Sequence, residues 1–176
     1  AGHFAVTGEL GPPTGADRSV IEEKAGHLKG IVDAVNITDN QTAVARMSSI
    51  SVGAMLVDLG LEPVIQMTVR DRNRIAIQAD LFGAWALGAR NLLCLTGDHM
   101  TFGNHPEAKG VYDMDSIQFL RVMREMGEKG IAECGDELEG APSFFLGAAA
   151  NPFAPPYEYR PYRLAKKVQA GAKFIQ

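Results

Sequence analysis

The chain has 176 residues, with 17 Lys and Arg against 21 Asp and Glu, for a net charge of −4. Hydrophobic residues make up 46% and charged residues 22%, the balance of a globular protein long enough to enclose one core. The acidic balance excludes a general nucleic-acid binder, no apolar run nears the ~20 residues that span a bilayer, and the two cysteines, Cys94 and Cys134, are too few for a disulfide scaffold.

The opening Ala1-Gly2-His3-Phe4 has no basic region leading into an apolar stretch, so no secretory signal is expected and the chain reads as cytoplasmic and reduced. Ala5–Leu10 is the first predicted strand, stopped by Gly11-Pro12-Pro13. A helix follows over Ser19–Gly30, with Ser19 as its cap and Glu22 completing a capping box. Asp33–Thr38 is the second strand. The apolar spacing of Val44, Met47, Ala54 and Met55 predicts a second helix over Thr42–Leu59.

The alternation then continues. Pro63–Val69 is the third strand and Asn73–Leu87 the third helix; Asn91–Thr96 is a near-continuous apolar strand, as expected when both faces are covered. Ser116–Gly130 is the fourth helix, Phe144–Ala150 the fifth strand, Pro161–Ala170 the fifth helix, and Lys173–Gln176 begins a sixth strand. Such alternation implies a parallel sheet, either an open doubly wound sheet or a (β/α)8 TIM barrel. Against roughly 250 residues for a barrel, the chain is expected to cover the first five βα units plus the sixth strand as a single domain lacking its C-terminal units. No Gly-x-Gly-x-x-Gly or Gly-x-x-x-x-Gly-Lys motif supports the open sheet.

Polar residues gather where the predicted strands end: Glu9, then Thr38-Asp39-Asn40, Gln66 and Thr68, Thr96-Gly97-Asp98, and Asn151. In a parallel barrel those ends face one cavity. Glu9 is either a surface carboxylate or a general acid kept among apolar neighbours such as Leu10. Asp98 is either a turn residue after Gly97 or part of the site, and Thr38-Asp39-Asn40 either caps the next helix or lines the cavity. The run Arg70-Asp71-Arg72-Asn73-Arg74 reads first as a solvated turn, with a contact to an anionic cofactor tail as the alternative. His99 and His105 read as solvated loop residues, and Cys94 as a small core residue.

Glu9-Leu10-Gly11-Pro12-Pro13, Val35-Asn36-Ile37-Thr38, Leu61-Glu62-Pro63-Val64, Leu95-Thr96-Gly97-Asp98, Val111-Tyr112-Asp113-Met114-Asp115, Ala149-Ala150-Asn151-Pro152 and the stretch Lys166–Ile175 follow one another along nearly the whole chain. In that order they resemble the methylenetetrahydrofolate reductase family. The Arg70–Arg74 run and the loop at Gly97-Asp98-His99 resemble a bacterial and archaeal branch. The resemblance implies a flavin-dependent (β/α)8 barrel that reduces 5,10-methylenetetrahydrofolate to 5-methyltetrahydrofolate in one-carbon metabolism and methionine biosynthesis. It implies FAD as cofactor, with FMN as the alternative, and an electron supply from NAD(P)H or a partner subunit in a homo- or hetero-oligomer.

By the same resemblance, Glu9 and Asp98 are the catalytic and folate-binding pair. Thr38, Gln66, Leu95, Thr96, Gly97, Asp98, Tyr112, Ala149, Asn151 and Lys167 fall at flavin-contact positions. Gln66 stands where many relatives place histidine and Asn151 where some place tyrosine. Arg160 and Arg163 stand where the family often has aspartate and asparagine. That departure motivates an alternative, a non-catalytic or partner-dependent flavin- and folate-binding subunit of a larger electron-transfer complex.

Overall fold

The computed structural model describes residues 2–176. Six parallel strands lie side by side in chain order: β1 (Thr7–Leu10), β2 (Ala34–Ile37), β3 (Pro63–Thr68), β4 (Asn91–Leu95), β5 (Phe145–Ala148) and β6 (Phe174–Ile175). Between them run α1 (Arg18–Leu28), α2 (Ser49–Asp58), α3 (Arg74–Ala86), α4 (Ser116–Lys129) and α5 (Arg160–Ala170). The expected order of elements stands, and the unbroken strand order is that of a curled barrel wall rather than a doubly wound sheet, whose order reverses.

The pleat sorts the side chains into two layers. Leu10, Val35, Ile37, Ile65, Met67, Leu92, Cys94, Leu146 and Ala148 point outward into two apolar clusters shared with the helices. Each of these side chains, once removed from water, contributes about 1.5–3 kcal/mol for the larger ones. The opposite positions, including Glu9, Asn36, Gln66, Leu93 and Phe174, line the concave face. There Gln176 Nε2 donates to Asn36 Oδ1, joining the end of β6 to β2 across the curl. Phe145 and Phe174 stack with ring centroids 5.4 Å apart. The Phe174 ring occupies the space a Cβ at Gly147 would take, 2.1 Å away, which is why β5 carries glycine there.

The starts of α1 to α4 follow side-chain capping. Asp17 caps α1, accepting from Ser19 N at 2.9 Å, so the expected Ser19 cap is displaced by two residues and Glu22 pairs with Arg18 Nε at 2.8 Å instead. Asn73 caps α3, and Asp115 with Gln118 forms a capping box on α4. The largest departure is at α2, which starts at Ser49 rather than Thr42. Asn40, Thr42 and Ala43 adopt left-handed backbone with φ of 44°, 57° and 56°. The segment is tied into a loop by Arg46 N to Asn40 Oδ1 (2.9 Å) and Met47 N to Pro13 O (2.9 Å). Val44 and Met47 have helical spacing, yet tertiary hydrogen bonds decide the conformation.

Candidate active site

The C-terminal ends of β1 to β4 surround a cleft of about 290 Å³ lined by Glu9, Thr38, Asp39, Gln66, Thr68, Arg70, Leu95, Gly97 and Asp98. The parallel register makes this convergence, since Glu9 pairs with Asn36, Ile37 with Ile65, and Thr68 with Leu95. A second cleft, about 470 Å³, lies after β5 and is lined by Ala149, Asn151, Tyr157, Arg160, Arg163 and Lys167. The expected site residues therefore fall at one end of the barrel wall but in two clefts. Thr96 and Tyr112 sit on the loops between: Thr96 Oγ1 accepts from Ser116 N (3.3 Å) and Tyr112 Oη donates to Asp98 O (3.4 Å).

Glu9 is exposed, so the apolar enclosure expected around it is not there; Leu10 turns to the other face of the strand, into the core. Asp98 is also exposed, and its Oδ2 accepts from Thr42 N at 3.1 Å. Thr38 is buried, and among the described residues its Oγ1 has no hydrogen-bond partner. A buried hydroxyl without a partner is costly, and this one lies on the cleft wall, where a bound polar ligand would satisfy it. Lys167 is buried as well; its Nζ donates to Ala149 O, and burial, reinforced by the nearby charge of Arg163, pushes its ammonium below the usual lysine range. An anion in the second cleft would relieve that cost.

The charged run after β3 is where the structure departs most from the solvated reading. Arg70 is 2% exposed and Asp39 3%. Asp39 does not cap a helix. It accepts from Thr68 N (2.9 Å) and from both terminal nitrogens of Arg72 (2.7 and 3.2 Å), while Arg72 Nε reaches Asp80 at 3.0 Å. Arg70 makes a two-pronged pair with Asp71, Nε and Nη2 each at 2.7 Å. That hydrogen-bonded carboxylate raises the Arg70 guanidinium further, against the opposing effect of burial. Burial pushes the Asp71 carboxyl up, but hydrogen bonds from Arg70 and Asn40 outweigh it and leave Asp71 below the ordinary carboxylate range.

The sequence did carry a signal for this network. Charges of alternating sign directly after a buried strand must find partners or leave the interior. Which partners they find depends on the loops after β2 and β4, and those are far away in sequence. Among the described residues, the four non-glycine residues with positive φ, Asn40, Thr42, Ala43 and Tyr112, all lie in these loops. Such backbone costs on the order of 1–3 kcal/mol per residue and persists where its surroundings hold it, often at functional sites.

A parallel α/β barrel wall with polar side chains converging at the carboxyl ends of its strands is the layout of a barrel enzyme. The chain belongs to the methylenetetrahydrofolate reductase family, whose pattern it matches over residues 1–176. No curated protein matches it. Among solved structures it is similar to 2,3-dimethylmalate lyase, described as a PEP mutase/isocitrate lyase superfamily member. The trigonal crystal form gives a TM-score of 0.58 at 12% identity, covering 98% of this chain and 56% of that one. The triclinic form gives 0.56 at 11%, covering 96% and 57%. At this identity the likeness is one of fold, and the chain spans a little over half the length of those proteins. Among the described residues, no helix is long and apolar enough to cross a membrane.

Proposed function

We propose that the two clefts together bind a flavin, FAD or FMN, and that the protein reduces 5,10-methylenetetrahydrofolate to 5-methyltetrahydrofolate. The observation that carries this reading is the cleft itself: in a chain of this family, Glu9, Asp98 and the unpartnered Thr38 hydroxyl meet at the ends of three strands. When bound, the flavin supplies hydride chemistry at the methylene carbon.

Glu9 is assigned the proton. The methylene bridge opens only as the departing nitrogen gains a proton, and an exposed carboxyl at the cleft rim can be resupplied from water between turnovers. Asp98 is held by the Thr42 amide and places negative charge at the cleft, opposing charge on a reduced flavin and favouring a folate cation. Thr38 is left free to hydrogen-bond the ring's polar edge. Lys167, with Arg160 and Arg163, puts positive charge in the second cleft, suited to a phosphate-bearing tail. The electron donor in this reading is NAD(P)H or a partner subunit of a cytoplasmic assembly.

The test is a visible spectrum of the purified full chain, followed by anaerobic addition of 5-methyltetrahydrofolate. A flavin band near ~450 nm that bleaches with the folate supports the reading. In Glu9→Gln the folate half-reaction should slow by roughly 10²–10⁴-fold, the range for a lost general acid, with reduction of the flavin by its donor unchanged. Full folate activity in that variant would remove Glu9 from the role. Flavin bound without folate reactivity would favour the partner-dependent subunit, and a protein that takes up neither FAD nor FMN would end the flavoprotein reading.

A further inference from the structure

We propose that Arg70 is a positioning residue that sets the place of the Asp98 carboxylate, and through it the redox balance of the bound flavin. This rests on the reading of Asp98 given above. Arg70 is buried and ties its own loop, after β3, to the loops after β2 and β4. Its Nη1 donates to Asp98 O (3.1 Å), its Nη2 to Asn40 O (3.1 Å), and its fork is held in one orientation by Asp71.

The two carbonyls it joins belong to the two loops whose contact fixes Asp98. Thr42, two residues beyond Asn40, donates its amide to Asp98 Oδ2. The Arg70 backbone takes part too, accepting from Val111 N at 2.7 Å and so anchoring the loop that carries Tyr112, whose hydroxyl also reaches Asp98 O. Gly97 lets the β4 loop lie directly on this arginine. Its φ is +92°, and a Cβ there would come within 3.0 Å of both Arg70 Cβ and Thr68 Cβ.

A guanidinium is required for this geometry. Five donors on a rigid plane serve two carbonyls and a carboxylate together, whereas a lysine in the same place keeps the charge and loses the fork. Arg70→Lys therefore frees the Asp98 loop without changing the local net charge. With the carboxylate no longer held at the cleft, reduced flavin is opposed less, and the midpoint potential moves to more positive values.

The experiment measures the potential of the flavin-loaded full chain for wild type, Arg70→Lys, Asp98→Asn and the double variant. Asp98→Asn should raise the ratio of affinities for reduced over oxidised flavin roughly tenfold, about 30 mV for a two-electron couple. Arg70→Lys should move it the same way, and the double variant should match Asp98→Asn alone, since Arg70 acts through that carboxylate. Asp71→Asn, which loosens the fork from a less buried position, should give a smaller shift of the same sign. In flavin-free protein, the Thr42 amide should exchange with solvent roughly tenfold faster in Asp71→Asn, as a local hydrogen bond opens.

A wild-type potential in Arg70→Lys beside a shifted Asp98→Asn would overturn the proposal for Arg70 alone. So would additive shifts in the double variant, or an unchanged Thr42 exchange rate. If Asp98→Asn itself left the potential unmoved, the role of Asp98 and this inference would fall together.

Discussion

Replacing Asp39 with alanine tests the buried charge network directly. Its side chain is 1% exposed and that of its partner Arg72 14%. Asp39→Ala removes two contacts to Arg72 and two to Thr68, one of them the acceptor for the Thr68 backbone N–H. Breaking a buried pair from one side costs about 3–5 kcal/mol, because the remaining charge stays desolvated. Arg72 retains Asp80, which is 42% exposed, and Thr68 O, so the loss should fall near the lower end, about 3 kcal/mol. For a chain of this size that lowers Tm by roughly 6–12 °C. Thermal and urea unfolding of the flavin-free protein measure it. Asp80→Asn is the control and should lose no more than about 1 kcal/mol, as a largely hydrated partner. Adding Arg72→Met to Asp39→Ala should recover much of the loss, since no charge is then left stranded. A loss in Asp39→Ala no larger than in Asp80→Asn would show that the network is solvated after all.

Three further outcomes follow from particular contacts. Thr38→Val should leave the flavin-free protein as stable or slightly more stable, because its Oγ1 has no partner to lose. The same change should weaken flavin binding roughly 5–10-fold in a fluorescence titration, the worth of one hydrogen bond of about 1 kcal/mol. Gly147→Ala forces a methyl into the Phe174 ring and should cost about 1–3 kcal/mol in urea unfolding. Lys167 titrates below the usual lysine range when folded, so the unfolded chain binds more protons between that lowered value and the ordinary one. Stability should rise with pH across that alkaline window. Lys167→Met should flatten the rise, and it should weaken flavin binding roughly 10–100-fold if the ammonium meets a phosphate, as expected for a lost charge-assisted bond of about 1.5–3 kcal/mol.

The strand-helix order was legible without coordinates because each element carries its own local signal. The apolar run Asn91–Leu95 needs both faces covered, and Asp115 with Gln118 marks a helix start by short-range hydrogen bonding alone. The clustering of Glu9, Thr38, Gln66 and Asp98 was legible as well. Parallel strands of similar length necessarily bring their ends together.

What local patterns do not contain is the pairing of distant loops. Thr42–Ser48 has the spacing of a helix but becomes a loop, because Pro13 O and the Asn40 side chain supply its hydrogen bonds from outside. Glu9, expected among apolar neighbours, stands exposed, since alternation along β1 sends Leu10 to the core and Glu9 to the cleft. Arg70, which looks solvated in the chain, is buried and Arg72 is half-buried, and the partners that make this affordable, Asp39 at the end of β2 and the backbone of Asp98 after β4, lie roughly thirty residues to either side. Composition and periodicity decide which residues seek the core. Whether a charge can join them depends on a counter-charge that only the folded chain brings within reach.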